Sequence, residues 1–194
     1  MSSPRPGTRS TWAQAALGAG AFVVLIWAIE IVDAVVDNRL DQYGVHPREA
    51  DGLLGILFAP LLHAGWGHLV ANTVPTLVLL FLVLVSGVAR GLLVTSVIWV
   101  VGGVGVWLVA ADNTVHLGAS VLIFGWLVYL LARGFFTGRF REVVLGILLV
   151  LLYGGVLLGV LPGQPGISWQ GHLFGAIGGA LAAYTLSDRG SRRG

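Results

Sequence analysis

Residues 67–87 read GHLVANTVPTLVLLFLVLVSG, a stretch without one charged side chain. A helix needs about 20 mainly apolar residues to cross a bilayer, and this segment supplies them. Working outward, five more segments have the same character: 13–36, 91–110, 117–134, 141–160 and 169–187. The 194-residue chain is 56% hydrophobic and only 10% charged, with a mean hydropathy of +0.88. Soluble domains carry about 25% charged residues, so the solvent for this surface is lipid. The reading is an all-α, polytopic membrane protein of six transmembrane helices.

The domain organisation follows. Residues 1–12 form a polar tail, 13–187 one membrane domain and 188–194 a basic tail. The apolar stretch after Arg5 and Arg9 is too long for a secretory h-region and lacks a small-x-small cleavage site, so it is read as a retained helix. Arg5, Arg9, Arg90, Arg133, Arg139, Arg141, Arg189, Arg192 and Arg193 fall on one side of the six segments. The other side carries only Arg39 and Arg48, among acids. The positive-inside rule then places both termini in the cytoplasm. The second, fourth and sixth segments therefore run from outside to inside. The apolar run 53–62 is too short to span and is expected at the interface or against the bundle. A multi-pass location in the cell membrane of a bacterium is expected. The net charge is +2 and no basic block is interleaved with aromatics, which argues against nucleic acid as a partner. Zero cysteines exclude disulfides, thiolate metal sites and a cysteine nucleophile.

Polar residues at membrane depth are functional candidates. Here they cluster: His68 and Asn72 open the second segment, His116 and Ser120 the fourth, Gln170 and His172 the sixth, and His63 precedes the second. The topology sends all these starts to the outer face. His68 and Asn72 are four apart and share a helix face; both side chains can donate hydrogen bonds to an oxyanion. A serine hydroxyl needs a base to take its proton, and His172 is the base that topology brings to Ser120. Singly, each residue has a plainer role. A serine at a helix start bonds backbone, an interfacial histidine anchors, and an asparagine joins helices. Gly171, Gly175 and Gly179 make one smooth face, which reads as a packing seam. His116 is read as an exposed interfacial residue, with shaping of the site mouth as the alternative. Glu30 and Asp33 are read as interfacial, and Trp66 and Trp169 as interface anchors.

Three motifs then carry a resemblance over about residues 40–187. His63-Ala-Gly-Trp-Gly-His68-Leu-Val-Ala-Asn72 resembles the H-x4-H-x3-N pattern of the rhomboid family of intramembrane serine proteases. Gly118-Ala119-Ser120 resembles the start of its G-x-S-G motif, and Gly171-His172-Leu-Phe-Gly175-Ala-Ile-Gly-Gly179 resembles the histidine and glycine seam of its last core helix. The resemblance implies a Ser120–His172 dyad without a third carboxylate. It implies an oxyanion site of His68, Asn72 and the Ser120 N–H. Gly175 and Gly179 would allow close packing, His63 and Gly118 would shape the site, and Phe124 would stack on His172 where relatives carry tyrosine. The substrates implied are transmembrane segments of other membrane proteins, cut near the outer face, with no cofactor and no metal.

Two departures matter. Val121 follows the nucleophile where the family has glycine, which predicts crowding beside Ser120. The Trp-Arg pair of the first loop is absent. Val121 motivates an alternative, a catalytically weak or inactive rhomboid-like protein that binds membrane clients. A third reading is a transporter or metal site built from His63, His68, His116 and His172.

Overall fold

The computed structural model describes residues 6–164 and 166–186. The expectations for the two tails rest largely on residues 1–5 and 187–194, which lie outside the described residues. Seven α-helices follow in order: α1 (Pro6–Val35), α2 (Gly52–Phe58), α3 (Trp66–Val85), α4 (Val88–Val109), α5 (Ser120–Thr137), α6 (Phe140–Tyr153) and α7 (Trp169–Leu186). Among the described residues there is no strand, only an isolated antiparallel bridge between Val45 and His116. Four helices, α1 from Ser10, α3, α4 and α5, are long and apolar enough to cross a membrane. The chain is thus an all-helical, polytopic membrane protein.

Most segment boundaries shift by a few residues, and two of the differences have a local structural reason. The fourth segment starts as helix at Ser120, not at 117, because Gly118 has φ of +119° and cannot sit in a right-handed turn. The fifth is not continuous: α6 ends at Tyr153 and the chain goes on as a 3₁₀ turn, Gly154–Val160. The long first connection is ordered. It contains 3₁₀ turns at Arg39–Tyr43 and Ala59–Leu61 around α2. Gly52, Gly55 and Ala59 face inward while Leu53, Leu54 and Leu57 are exposed, as expected of an apolar run lying on the bundle. Trp99 Nε1 donates to Ile56 O at 2.7 Å and fixes α2 on α4.

Glu30 and Asp33, near the C-terminal end of α1, are covered by protein. They are 2% and 1% exposed, beneath the first connection. Asp33 Oδ1 accepts the Leu40 N–H at 2.6 Å, and the Asp33 carbonyl accepts the Asn38 N–H at 2.9 Å, so this acid closes the turn that leaves α1. The arginines of the α5–α6 turn are also engaged: Arg133 and Arg139 pair with Glu142 at 3.0 and 3.5 Å.

The central helix is α5, packed against α3, α4, α6 and α7, with Leu122, Trp126, Leu127 and Tyr129 fully buried. Its approach to α7 is set by glycine. A β-carbon on Gly175 would stand 2.1 Å from the Val121 carbonyl oxygen, and one on Gly179 would stand 2.0 Å from that of Gly125. Lipid offers little hydrophobic drive between helices, so such backbone-to-backbone contact is how they gain packing energy.

The same region answers the crowding expected at Val121. Its Cγ2 lies where a side chain on Gly102 of α4 would be, 2.3 Å from an ideal β-carbon there. The extra bulk beside Ser120 therefore points at a glycine on the neighbouring helix. Valine is stiff at χ1 in a helix and cannot swing aside. Gly102→Ala should therefore destabilise the fold by about 1–3 kcal/mol through overpacking. Adding Val121→Ala should recover most of that loss. The melting midpoint in detergent checks both, and an unchanged midpoint in Gly102→Ala contradicts the packing.

Candidate active site

Helices α3, α5 and α7 start at one end of the bundle, and their first turns surround a cavity of about 490 Å³. His68 and Asn72 reach it from α3, Ser120 and Phe124 from α5, and His172 from α7. Residues dispersed over a hundred positions thus share one space. Gly175 and Gly179 lie deeper along α7, where they set its distance from α5.

Ser120 is the first residue of α5. The first N–H groups of a helix have no intrahelical acceptor. Among the described residues, neither its hydroxyl nor its N–H has a hydrogen-bond partner. The resting site contains no Ser120–His172 hydrogen bond; both side chains face the cavity. Such bonds are often long or absent until substrate binds.

His172 is 8% exposed and held on two sides. Phe124 stacks on it with ring centroids 3.9 Å apart and planes at 11°. Its Nδ1 lies 2.9 Å from Gly159 O in the 3₁₀ turn after α6. A carbonyl only accepts, so Nδ1 carries the proton and Nε2 keeps the lone pair. Gly159 thus does what a carboxylate does in a triad: it fixes tautomer and ring orientation. It must be glycine here, since a β-carbon would stand 2.8 Å from His172 Nδ1 and 3.0 Å from Phe124 Cζ. One glycine among 29 carries no sequence signal of this role.

The α3 residues are arranged as donors. His68 Nδ1 accepts the Ala64 N–H at 3.3 Å, which leaves the proton on Nε2. The ring lies over Gly118, whose β-carbon would stand 2.6 Å from His68 Cε1. Gly118 is thus needed twice, for its positive φ and for this contact. Asn72 donates one amide hydrogen to His68 O at 3.0 Å and keeps the other.

His63 lies behind the site, 1% exposed, with its ring edge-to-face against His68 at 5.2 Å. Its Nε2 is 3.5 Å from the Ala119 nitrogen, a long contact in which the imidazole accepts. Burial, assisted by the nearby His68, pushes its pKa down to about 4. His116 is not the exposed residue expected. It is partly buried, and both ring nitrogens are engaged, by Thr114 and Ser168. Burial lowers its pKa also. Among the described residues, no three histidines or carboxylates are grouped as ligands of a metal ion.

The His63 shift predicts a pH dependence with a definite sign. Its native pKa lies below the ordinary value of 6.5, so between these limits the unfolded chain binds more protons. Stability should fall as pH drops from about 6.5 toward 4. Asp41, pushed up to about 6 by burial and Asp33, works in the opposite direction, so the comparison must be differential. The melting midpoint of wild type should fall more between pH 7 and pH 5 than that of His63→Gln. Parallel curves contradict a buried neutral His63.

Comparison with known proteins agrees with this architecture. A family profile for the Rhomboid domain matches residues 50–189. A Mycobacterium tuberculosis protein, "Uncharacterized protein Rv1337", is 48% identical over 174 residues, covering 86% of this chain and 72% of its own. A Mycobacterium leprae protein, "Uncharacterized protein ML1171", is 47% identical over 174 residues, covering 86% and 69%. The Bacillus subtilis "Putative rhomboid protease YdcA" is 34% identical over 142 residues, covering 69% of this chain and 67% of its own. No solved structure matches. With the motifs of α3, α5 and α7 in order within the matched region, the chain belongs to the rhomboid family.

Proposed function

We propose that the protein is an intramembrane serine endopeptidase that cuts transmembrane segments of other membrane proteins near the outer face. In this reading α1, α3, α4, α5, α6 with its 3₁₀ extension, and α7 are the six spans, with both termini cytoplasmic and the cavity opening outward. The cell membrane of a bacterium is the proposed location. The observation that carries the reading is the meeting of Ser120, His172, His68 and Asn72 at one cavity.

The chemistry needs only these groups. Ser120 Oγ bonds to the scissile carbonyl carbon while its proton passes to His172 Nε2. The imidazolium formed keeps its Nδ1–H on Gly159 O. The carbonyl oxygen becomes an oxyanion, and three donors are free for it: His68 Nε2–H, the second Asn72 amide hydrogen and the Ser120 N–H. Collapse breaks the C–N bond, and the leaving amine takes the proton from Nε2. Water then attacks the acyl-enzyme, giving its proton to His172 Nε2; the C–Oγ bond breaks, the acid is released and the proton returns to Ser120 Oγ. A substrate helix must unwind locally to expose its carbonyl, so small or helix-weakening residues near the outer interface are the expected preference. A water-accessible cavity at membrane depth is the setting in which unpaired backbone is tolerated.

The inactive reading rested on Val121. The seating of that side chain against Gly102 supports the active reading over it.

Purified protein should react with a fluorophosphonate at Ser120, and Ser120→Ala should not react. His172→Ala should slow the reaction by about 10³-fold or more. His68→Ala should lower peptide cleavage on the order of 10²–10³ by removing an oxyanion donor. Labelling that persists in Ser120→Ala overturns the proposal.

A further inference from the structure

His116 and Ser168 lie outside the machinery just described, yet they repeat its spacing. Each stands four residues before a member of the dyad: His116 before Ser120, Ser168 before His172. Their side chains meet, with His116 Nδ1 2.7 Å from Ser168 Oγ.

The direction of every hydrogen bond can be assigned. Thr114 Oγ1 donates its one hydrogen to Ala111 O at 2.6 Å, so toward His116 Nε2, 2.8 Å away, it can only accept. Neutral His116 therefore carries its proton on Nε2. Its Nδ1 is an acceptor, and the Ser168 hydroxyl donates to it. Ser168 Oγ in turn accepts the Gly171 N–H at 3.2 Å, capping the first turn of α7. The chain of bonds runs unbroken from the end of α4 to the start of α7. The His116 backbone is fixed as well, by paired bonds with Val45 at 2.8 and 3.0 Å. Gly118 between His116 and Ser120 is anchored through its N–H to Ala59 O at 2.8 Å. His116, Ser120 and Ser168 also line both the large cavity and a small apolar one of about 30 Å³, so the pair belongs to their common wall.

We propose that the His116–Ser168 hydrogen bond is a latch that sets the separation of Ser120 and His172, with both latch residues acting as positioning residues. Along the helices the glycine contacts set the α5–α7 distance, Gly175 against Val121 and Gly179 against Gly125, all on the inner side of the dyad in sequence. Above it, the segments before α5 and α7 are connected by this side-chain bond. The inference rests on the protease reading, since it assigns a role relative to that dyad.

The test is a double-mutant cycle with His116→Ala and Ser168→Ala, read by fluorophosphonate labelling rate, by kcat and KM on a transmembrane substrate, and by melting midpoint. Each single variant should lower labelling and kcat by about tenfold or more, with KM little changed, since a small misplacement of reacting groups costs up to about 10²-fold. The double variant should be no slower than the slower single one, because the two side chains act through one bond. Ser168→Thr keeps the hydroxyl and should restore labelling to within about threefold of wild type. Single variants that label at the wild-type rate overturn the latch. So do effects that multiply in the double variant, or a Ser168→Thr as slow as Ser168→Ala. A wild type that does not label at all overturns the protease reading itself, and with it the positional role of the latch.

Discussion

The close approach of α7 to α5 is the constraint on which the rest depends. A nucleophile and a base on different helices can cooperate only if their helices almost touch. In lipid there is little hydrophobic penalty for helices drifting apart, so contact must come from packing. Gly175 and Gly179 present bare backbone to the carbonyls of Val121 and Gly125, and no β-carbon could be placed at either. Once that contact exists, Ser120 and His172 face one cavity, and the loops need only adjust them.

In the proposed mechanism the base is oriented without a buried acid. An ionised carboxylate beside His172 at membrane depth would carry a large desolvation cost. The Gly159 carbonyl offers an acceptor of the right geometry with no net charge. Stacking on Phe124 supplies the second restraint. The carboxylates that the chain does bury, Glu30 and Asp33, lie near the C-terminal end of α1, where Asp33 closes a turn.

How much of this was legible in the sequence depended on the kind of signal. The apolar spans α1, α3, α4 and α5 declare themselves, because crossing a bilayer demands a length and a composition that nothing else in the chain imitates. Ser120, His172, His68, Asn72 and Phe124 were legible as candidates because polar or motif-bearing residues are scarce in such a chain. The start of α5 was misjudged by three residues because apolar pattern does not register the positive φ at Gly118. The break after Tyr153 was hidden within an unbroken run of apolar residues. Gly159 acts through its backbone carbonyl, and every residue has one. His116 and Ser168 gain their meaning only from each other, across 52 positions. The burial of Glu30 and Asp33 has no sequence signal, because it depends on the first connection folding over them. Val121 looked like a defect when read alone, and its complement, Gly102, is visible only in the packing.

The central claim is that the cavity framed by α3, α5 and α7 performs peptide-bond hydrolysis with Ser120 and His172. The most direct measurement is mass analysis of a single-span reporter protein co-reconstituted with this chain in liposomes. The account predicts two fragments whose new termini map to one bond in the outer part of the apolar segment, with no fragments from Ser120→Ala or His172→Ala. An intact reporter with wild type, or the same fragments from Ser120→Ala, would contradict it.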